Sequence, residues 1–207
     1  MVDVVSKCCK SALCNTQTRP NKYDGYCIYC YVNLFPEKPV LRNYKVKEYA
    51  VVEFIKDNLD PAFAALFPPV FDRRVDMTAC ASGRKPDVRF DLQTHVLIVE
   101  IDEDQHRARA YSDMCENKRC MELFEDLGGR PIVFIRFNPD AYKRGDISFK
   151  SSFIYLKSGL CKVRDAKEWK MRCDMLMDAI HEQIRRTFQD NRMPDKTIEV
   201  IKLFYDS

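Results

Sequence analysis

Four side chains in one short stretch could do chemistry together: Asp87, Glu100, Asp102 and His106, within RKPDVRFDLQTHVLIVEIDEDQH at residues 84–106. Pro86-Asp87 opens an alternating run, Gln93-Thr94 make a turn, and VLIV is apolar enough for a central strand. The pattern therefore predicts a hairpin of strands 88–92 and 95–102. Two residues apart at the end of the second strand, Glu100 and Asp102 leave the same face. Like charges crowded there cost energy unless a metal or a basic partner offsets them. An oxygen-only ligand set suits Mg²⁺ or Mn²⁺. His106 follows Glu100, Asp102, Glu103 and Asp104, acids that raise its pKa if they lie near it and suit it to proton transfer.

Pro86-Asp87 followed by Glu100-Ile101-Asp102 resembles the PD-(D/E)XK nuclease core. The continuation EIDEDQH, with CENKR and IRFNPD further on, is similar to its Vsr-like branch and to the EDxHD homing endonucleases. The likeness spans roughly residues 44–142. It implies a restriction-endonuclease-like mixed sheet flanked by helices, in the order α, β, β, β, α, β. It further implies a metal-dependent DNA endonuclease in which Asp87, Glu100 and Asp102 bind Mg²⁺ or Mn²⁺. Asp102 stands where most of the superfamily has a catalytic lysine, so the resemblance shifts proton transfer to His106. It also points to Glu48, on the preceding helix, as a residue that reaches the active site; a solvated partner of Lys45 or Lys47 is the other reading. An RNA-cleaving nuclease and a non-catalytic nucleic-acid-binding module of the same fold are the alternatives.

Metal-ligand spacing appears a second time near the amino terminus. Cys9, Cys14, Cys27 and Cys30 form C-x4-C-x12-C-x2-C, a pattern whose two knuckles bring four thiolates to one tetrahedral Zn²⁺, with Cys8 an alternative to Cys9. A segment this short and rich in turn formers buries little core, and ligation would supply the missing folding energy. Free or buried thiols are the bland alternative. Tyr23, Tyr26, Tyr29 and Tyr31, interleaved with Arg19 and Lys22, read as a small aromatic core or as a stacking surface. Phe35-Pro36-Glu37-Lys38-Pro39 reads as a linker, giving a zinc-ribbon-like module at 1–38 and a nuclease-type domain at 40–207.

The remaining elements must position the acids. Residues 44–59 carry a helical pattern, 70–75 a short strand, and the stretch after His106 a helix stopped by Gly128-Gly129. Residues 132–137 read as a buried strand, parallel to the first across a crossover. Residues 165–188 form an amphipathic helix, and 197–205 an edge strand. Arg73, Arg74, Arg84 and Lys85 lie beside the acids in sequence and are the expected phosphate clamps, or else simple counter-charges. Arg136 and Asn138 read either as phosphate contacts or as structural hydrogen-bonding groups.

A net charge of +3 among 34 basic and 31 acidic residues does not announce a nucleic-acid binder. DNA is the partner the resemblance implies, and a homodimer is compatible with it. No membrane span or export signal is read, so the ten cysteines are expected in an intracellular setting, nuclear or cytoplasmic, as thiols or metal ligands.

Overall fold

The computed structural model describes residues 7–12, 14, 16–18, 23–35, 46–75, 81–106, 113–156 and 160–207. The chain divides into two compact units, residues 1–44 and 45–207. The expected linker lies almost wholly outside the described residues.

The first unit pairs β1 (Lys7–Cys8) with β2 (Gln17–Thr18) antiparallel and continues into α1 (Ile28–Leu34). Tyr31 packs between Tyr23 and Phe35, with ring centroids 5.4 and 5.1 Å away, and Tyr26 meets Phe35 edge-on. The described tyrosines thus form the small aromatic core; the side chain of Tyr29 lies outside the described residues.

The second unit is a mixed α/β domain. It begins with α2 (Val46–Asn58) and α3 (Pro61–Leu66), followed by β3 (Val70–Phe71), β4 (Val88–Asp91) and β5 (Val96–Ile101). Next come α4 (Asp113–Asp126) and β6 (Ile132–Phe137). Two small hairpins, β7 (Tyr142–Arg144) with β8 (Ile147–Phe149) and β9 (Phe153–Tyr155) with β10 (Cys161–Val163), precede α5 (Ala166–Phe188) and β11 (Ile198–Leu203). The main sheet has the order β11-β6-β5-β4-β3, with β11, β6 and β5 parallel to one another, β4 antiparallel to β5, and β3 antiparallel to β4. Every residue of β5 and β6 is buried, which explains their unbroken apolar runs.

One face of the sheet packs on α2 and α5 through Val51, Ile55, Leu176 and Ile180; the other packs on α4 through Leu123 and on Leu127 just past its end. The long helix α5 starts where Asp165 accepts hydrogen bonds from the N–H groups of Lys167 and Glu168. Strand 70–75 is shorter than its sequence suggests because Asp72 takes φ 43° and turns the chain. The edge strand likewise stops before Phe204, at φ 64°.

The two hairpins, which carry little periodic signal, are tied to the core by the fully buried Arg172 of α5. Its guanidinium donates to the carbonyls of Asp140 (2.9 Å) and Lys150 (2.7 Å), lies 5.0 Å from the ring centroids of both Tyr142 and Phe204, and pairs with Glu168. Arg172→Met keeps the bulk but leaves buried carbonyls unbonded. We expect it to cost about 3–5 kcal/mol in urea unfolding, the scale for breaking a buried charged contact. A loss below about 1 kcal/mol, the range of exposed pairs, would show that the hairpins are held otherwise.

Candidate functional site

The β4–β5 register pairs Val88 with Val99, so one step further Asp87 stands opposite Glu100. An Asp87 oxygen accepts the Ile101 N–H at 2.7 Å, tying the two strand ends together. Glu100 in turn is opposite Arg136 of β6, and Arg136 is opposite Lys202 of β11. Asp87, Glu100, Arg136 and Lys202 thus form a row across the carboxyl ends of the parallel strands, on the α4 face, with Asp102 two residues beyond Glu100.

Two arginines offset these acids. Arg119 of α4 donates to Glu100 at 2.7 Å and to the Lys85 carbonyl at 3.3 Å. Arg136 donates to Asp102 at 2.5 Å and pairs with Glu116 of α4, while the Tyr205 hydroxyl also donates to Asp102. Of the two offsets the sequence allowed, a metal or a basic partner, the structure contains the basic one. Burial pushes the Glu100 carboxyl above its usual range, against the pull of Arg119; burial and the Asp102 carboxylate likewise raise the Tyr205 hydroxyl.

Arg136 and Asn138 both make structural hydrogen bonds, Arg136 to the acids and Asn138 through its amide, which donates to the Phe204 carbonyl at 2.7 Å. Arg84 pairs with Glu122 at 2.6 Å, whereas Arg73, Arg74 and Lys85 are exposed. Glu48 is half-buried. His106 ends the tight turn Glu103–His106, in which Asp104 and Gln105 both have positive φ, and its side chain lies outside the described residues.

That turn is braced by residues the sequence reading missed. Asp140, after β6, accepts the Asp104 N–H at 2.9 Å and the Ser151 hydroxyl at 2.8 Å. The ammonium group of Lys47 lies 2.7 Å from Asp140 and 3.4 Å from Glu103. Lys47 stands on the same stripe as Val51, Ile55 and Leu59, and this i, i+4 spacing was the signal that it points inward. Burial alone would raise the Asp140 carboxyl, but hydrogen bonds from Lys47 and Ser151 outweigh it and hold the group below the usual carboxylate range. Stability from such a depressed pKa is present above the unfolded value, near 4, and is lost as pH falls through the folded one. Asp140→Asn should therefore be less stable than wild type at neutral pH, with the gap narrowing as pH falls below about 4. Urea midpoints across that range measure it, and a gap independent of pH would remove the ion pair from the explanation.

In the first unit the Sγ atoms of Cys9, Cys14, Cys27 and Cys30 all lie within 4.8 Å of one another. The Cys14–Cys27 separation is 3.8 Å. A tetrahedron with Zn–S bonds of about 2.3 Å has edges of about 3.8 Å, so the cluster fits a metal such as zinc. Cys9 Sγ accepts the Cys27 N–H at 3.1 Å, and Cys27 caps α1 by accepting the Cys30 N–H at 3.4 Å. Hydrogen bonding to Thr16 lowers the Cys14 thiol to about 6, whereas Cys30, although Ser11 pulls it down, is pushed up to about 12 by its hydrogen bond with Cys27 and by burial, so the metal-free cluster holds its charge on Cys14 rather than on all four thiols. Cys8 is exposed and outside the cluster, so of the two adjacent cysteines it is Cys9 that joins the other three. Among the described residues these cysteines are the one group of three or more potential ligands that converges on a single point.

The chain thus joins a four-cysteine unit to a mixed α/β domain with an arginine-bound acid centre at its strand ends. Comparison with protein-family models, curated proteins and solved structures returns no match. Among the described residues no helix is long and apolar enough to cross a membrane.

Proposed function

We propose that the protein is a metal-dependent DNA endonuclease of the PD-(D/E)XK type, nearest the Vsr-like and EDxHD branch, with a restriction-endonuclease-like core and a structural zinc on Cys9, Cys14, Cys27 and Cys30. The observation that supports this most is Asp87 opposite Glu100, with Asp102 two residues on, at the carboxyl ends of a parallel strand pair. Ligands enter open α/β sheets at such ends.

Asp87 and Glu100 have the hard oxygen donors that Mg²⁺ or Mn²⁺ takes, and they suit a cation once Arg119 leaves Glu100. Asp102, held by Arg136 and Tyr205, orients the centre, and His106 transfers a proton to or from the reacting oxygens. When bound, the cation polarises the phosphodiester and offsets the charge that develops on it. Arg73, Arg74 and Lys85 are exposed and, among the described residues, make no ion pair with the acids, so they are the better phosphate contacts; Arg84 must first give up Glu122.

A non-catalytic nucleic-acid-binding module is the second reading, favoured by the arginines that already neutralise Glu100 and Asp102. Plasmid, linear DNA and structured RNA incubated with Mg²⁺, Mn²⁺ or chelator, beside a gel shift in Ca²⁺, separate the readings. The proposal expects DNA cleavage with either metal and none in chelator. Binding without cutting under every metal selects the non-catalytic module, and cutting of RNA alone selects an RNase.

A further inference from the structure

Every position from Lys143 to Lys150 in the β7–β8 hairpin is exposed, and this stretch sets Lys143, Arg144 and Lys150 against a single acid, Asp146. Among the described residues none of the three cations pairs with a carboxylate. The register puts Tyr142 opposite Phe149 and Arg144 opposite Ile147, so these four side chains share one face. There the Tyr142 and Phe149 rings stack with centroids 4.5 Å apart, the Arg144 guanidinium lies 5.6 Å from the Tyr142 centroid, and Ile147, beside the Gly145-Asp146 turn, is 63% exposed. The ribbon is nevertheless held in place. Besides the Arg172 contacts, the Gln105 amide donates to the Ala141 carbonyl and to Asp206, both at 3.1 Å, and Asp206 accepts the Lys143 N–H at 2.7 Å. The Ser207 N–H donates to the Lys143 carbonyl at 3.1 Å, which occupies the edge of β7 that faces away from β8. These ties also fix its position. β7 begins just after β6, Gln105 lies three residues past Asp102, and Asp206 follows the tyrosine that bonds Asp102, so the hairpin leaves the domain on the rim of strand ends that carries the acid centre.

We infer that the β7–β8 hairpin is a holding element for duplex DNA, in which Lys143, Arg144 and Lys150 contact the phosphate backbone and Ile147 enters the major groove between the contacted strands. A two-stranded ribbon is a shape that groove admits, and cations on its flanks reach the phosphates on either side. The charge decides the occupant. An apolar partner surface would leave three cations without counter-charge, and a second copy of the hairpin would set like charges face to face; a regular polyanion avoids both costs. The inference rests on the nucleic-acid-binding part of the nuclease reading, which the non-catalytic module shares, and it needs no metal at Glu100.

The test is fluorescence anisotropy of a labelled DNA duplex with the full, zinc-loaded chain over a series of salt concentrations, without added Mg²⁺ or Mn²⁺ so that binding is read apart from cutting. The variants are Lys143→Gln, Arg144→Gln and Lys150→Gln combined, the charge-keeping set Lys143→Arg, Arg144→Lys and Lys150→Arg, and Ile147→Ser. Each phosphate contact adds about 0.9 to the slope of log affinity on log salt, so the glutamine set should lower that slope by nearly three and weaken binding at about 0.1 M salt on the order of 10²-fold. The charge-keeping set should restore most of both. Ile147→Ser should weaken binding several-fold at an unchanged slope, because an apolar contact releases no counterions. Urea midpoints near wild type confirm that the variants fold; if the glutamine set does not, the three single variants decide, each lowering the slope by about one. Duplex binding by wild type with slope and affinity kept within twofold in the glutamine set would overturn the hairpin's role and leave the nucleic-acid reading intact. Ile147→Ser that binds as wild type would remove the tip from the groove. Equal affinity for polyglutamate of matched charge would overturn the assignment to DNA, and no salt-dependent duplex binding by wild type would overturn both readings.

Discussion

Replacing Cys27 and Cys30 together by serine should strip the amino-terminal unit of its metal and unfold it, while residues 45–207 keep their cooperative transition. Among the described residues of that unit, the buried apolar side chains are Cys9, Cys27 and Tyr31, too few to offset the entropy of ordering the chain. Zinc binding to four thiolates supplies apparent free energies of about 10–16 kcal/mol, and in small metal-built units that is also the folding energy. Elemental analysis of protein purified without added metal should give about one zinc per chain, falling to near none in the double variant. Cys8→Ser should leave the content unchanged. Stoichiometric zinc in the double variant would refute the ligand set.

If the proposed endonuclease reading holds, Glu100→Gln should slow DNA cleavage by orders of magnitude and leave the fold at least as stable as wild type. The amide keeps the shape of the side chain and removes the charge. Because burial raises the Glu100 carboxyl, a neutral group there relieves a desolvation cost, and the partly exposed Arg119 can turn toward solvent. The activity loss is of a different order. A catalytic cation supplies several kcal/mol of charge stabilisation, so losing its ligand should slow cleavage by about 10³-fold at 1.36 kcal/mol per decade. Thermal unfolding beside plasmid cleavage in Mg²⁺ measures both quantities. Cleavage that persists in the variant would place the chemistry elsewhere, and a large fall in melting temperature would make Glu100 a structural residue first.

The local signals in the sequence were strong where periodicity and burial agree. The VLIV and IVFIRF runs became the two central strands, and Trp169 to Ile184 the inward stripe of α5, because such patterns depend on neighbours close in the chain. What escaped the reading depends on partners far apart. Nothing local says that Lys47 meets Asp140, that Arg172 caps carbonyls of the hairpins, or that Arg119 rather than a bare metal site faces Glu100. Charge crowding at Glu100 and Asp102 was legible; the identity of the cation was not, since a helix arginine and a bound ion answer the same electrostatic demand. The cysteine spacing was legible as far as four ligands, and only the geometry separated Cys9 from Cys8.

The hydrogen bond from Tyr205 to Asp102 joins positions 103 residues apart in sequence, and β11 is an edge strand whose partner in the sheet is β6. During synthesis at about 5–20 residues per second, Asp102 and Arg136 therefore wait at least several seconds after Asp102 is made before their last partner exists. Contacts of such long range also make folding slow. A ribosome-bound chain halted before residue 205 carries an acid centre without its closing hydroxyl, so the centre matures as a late event in the life of the polypeptide.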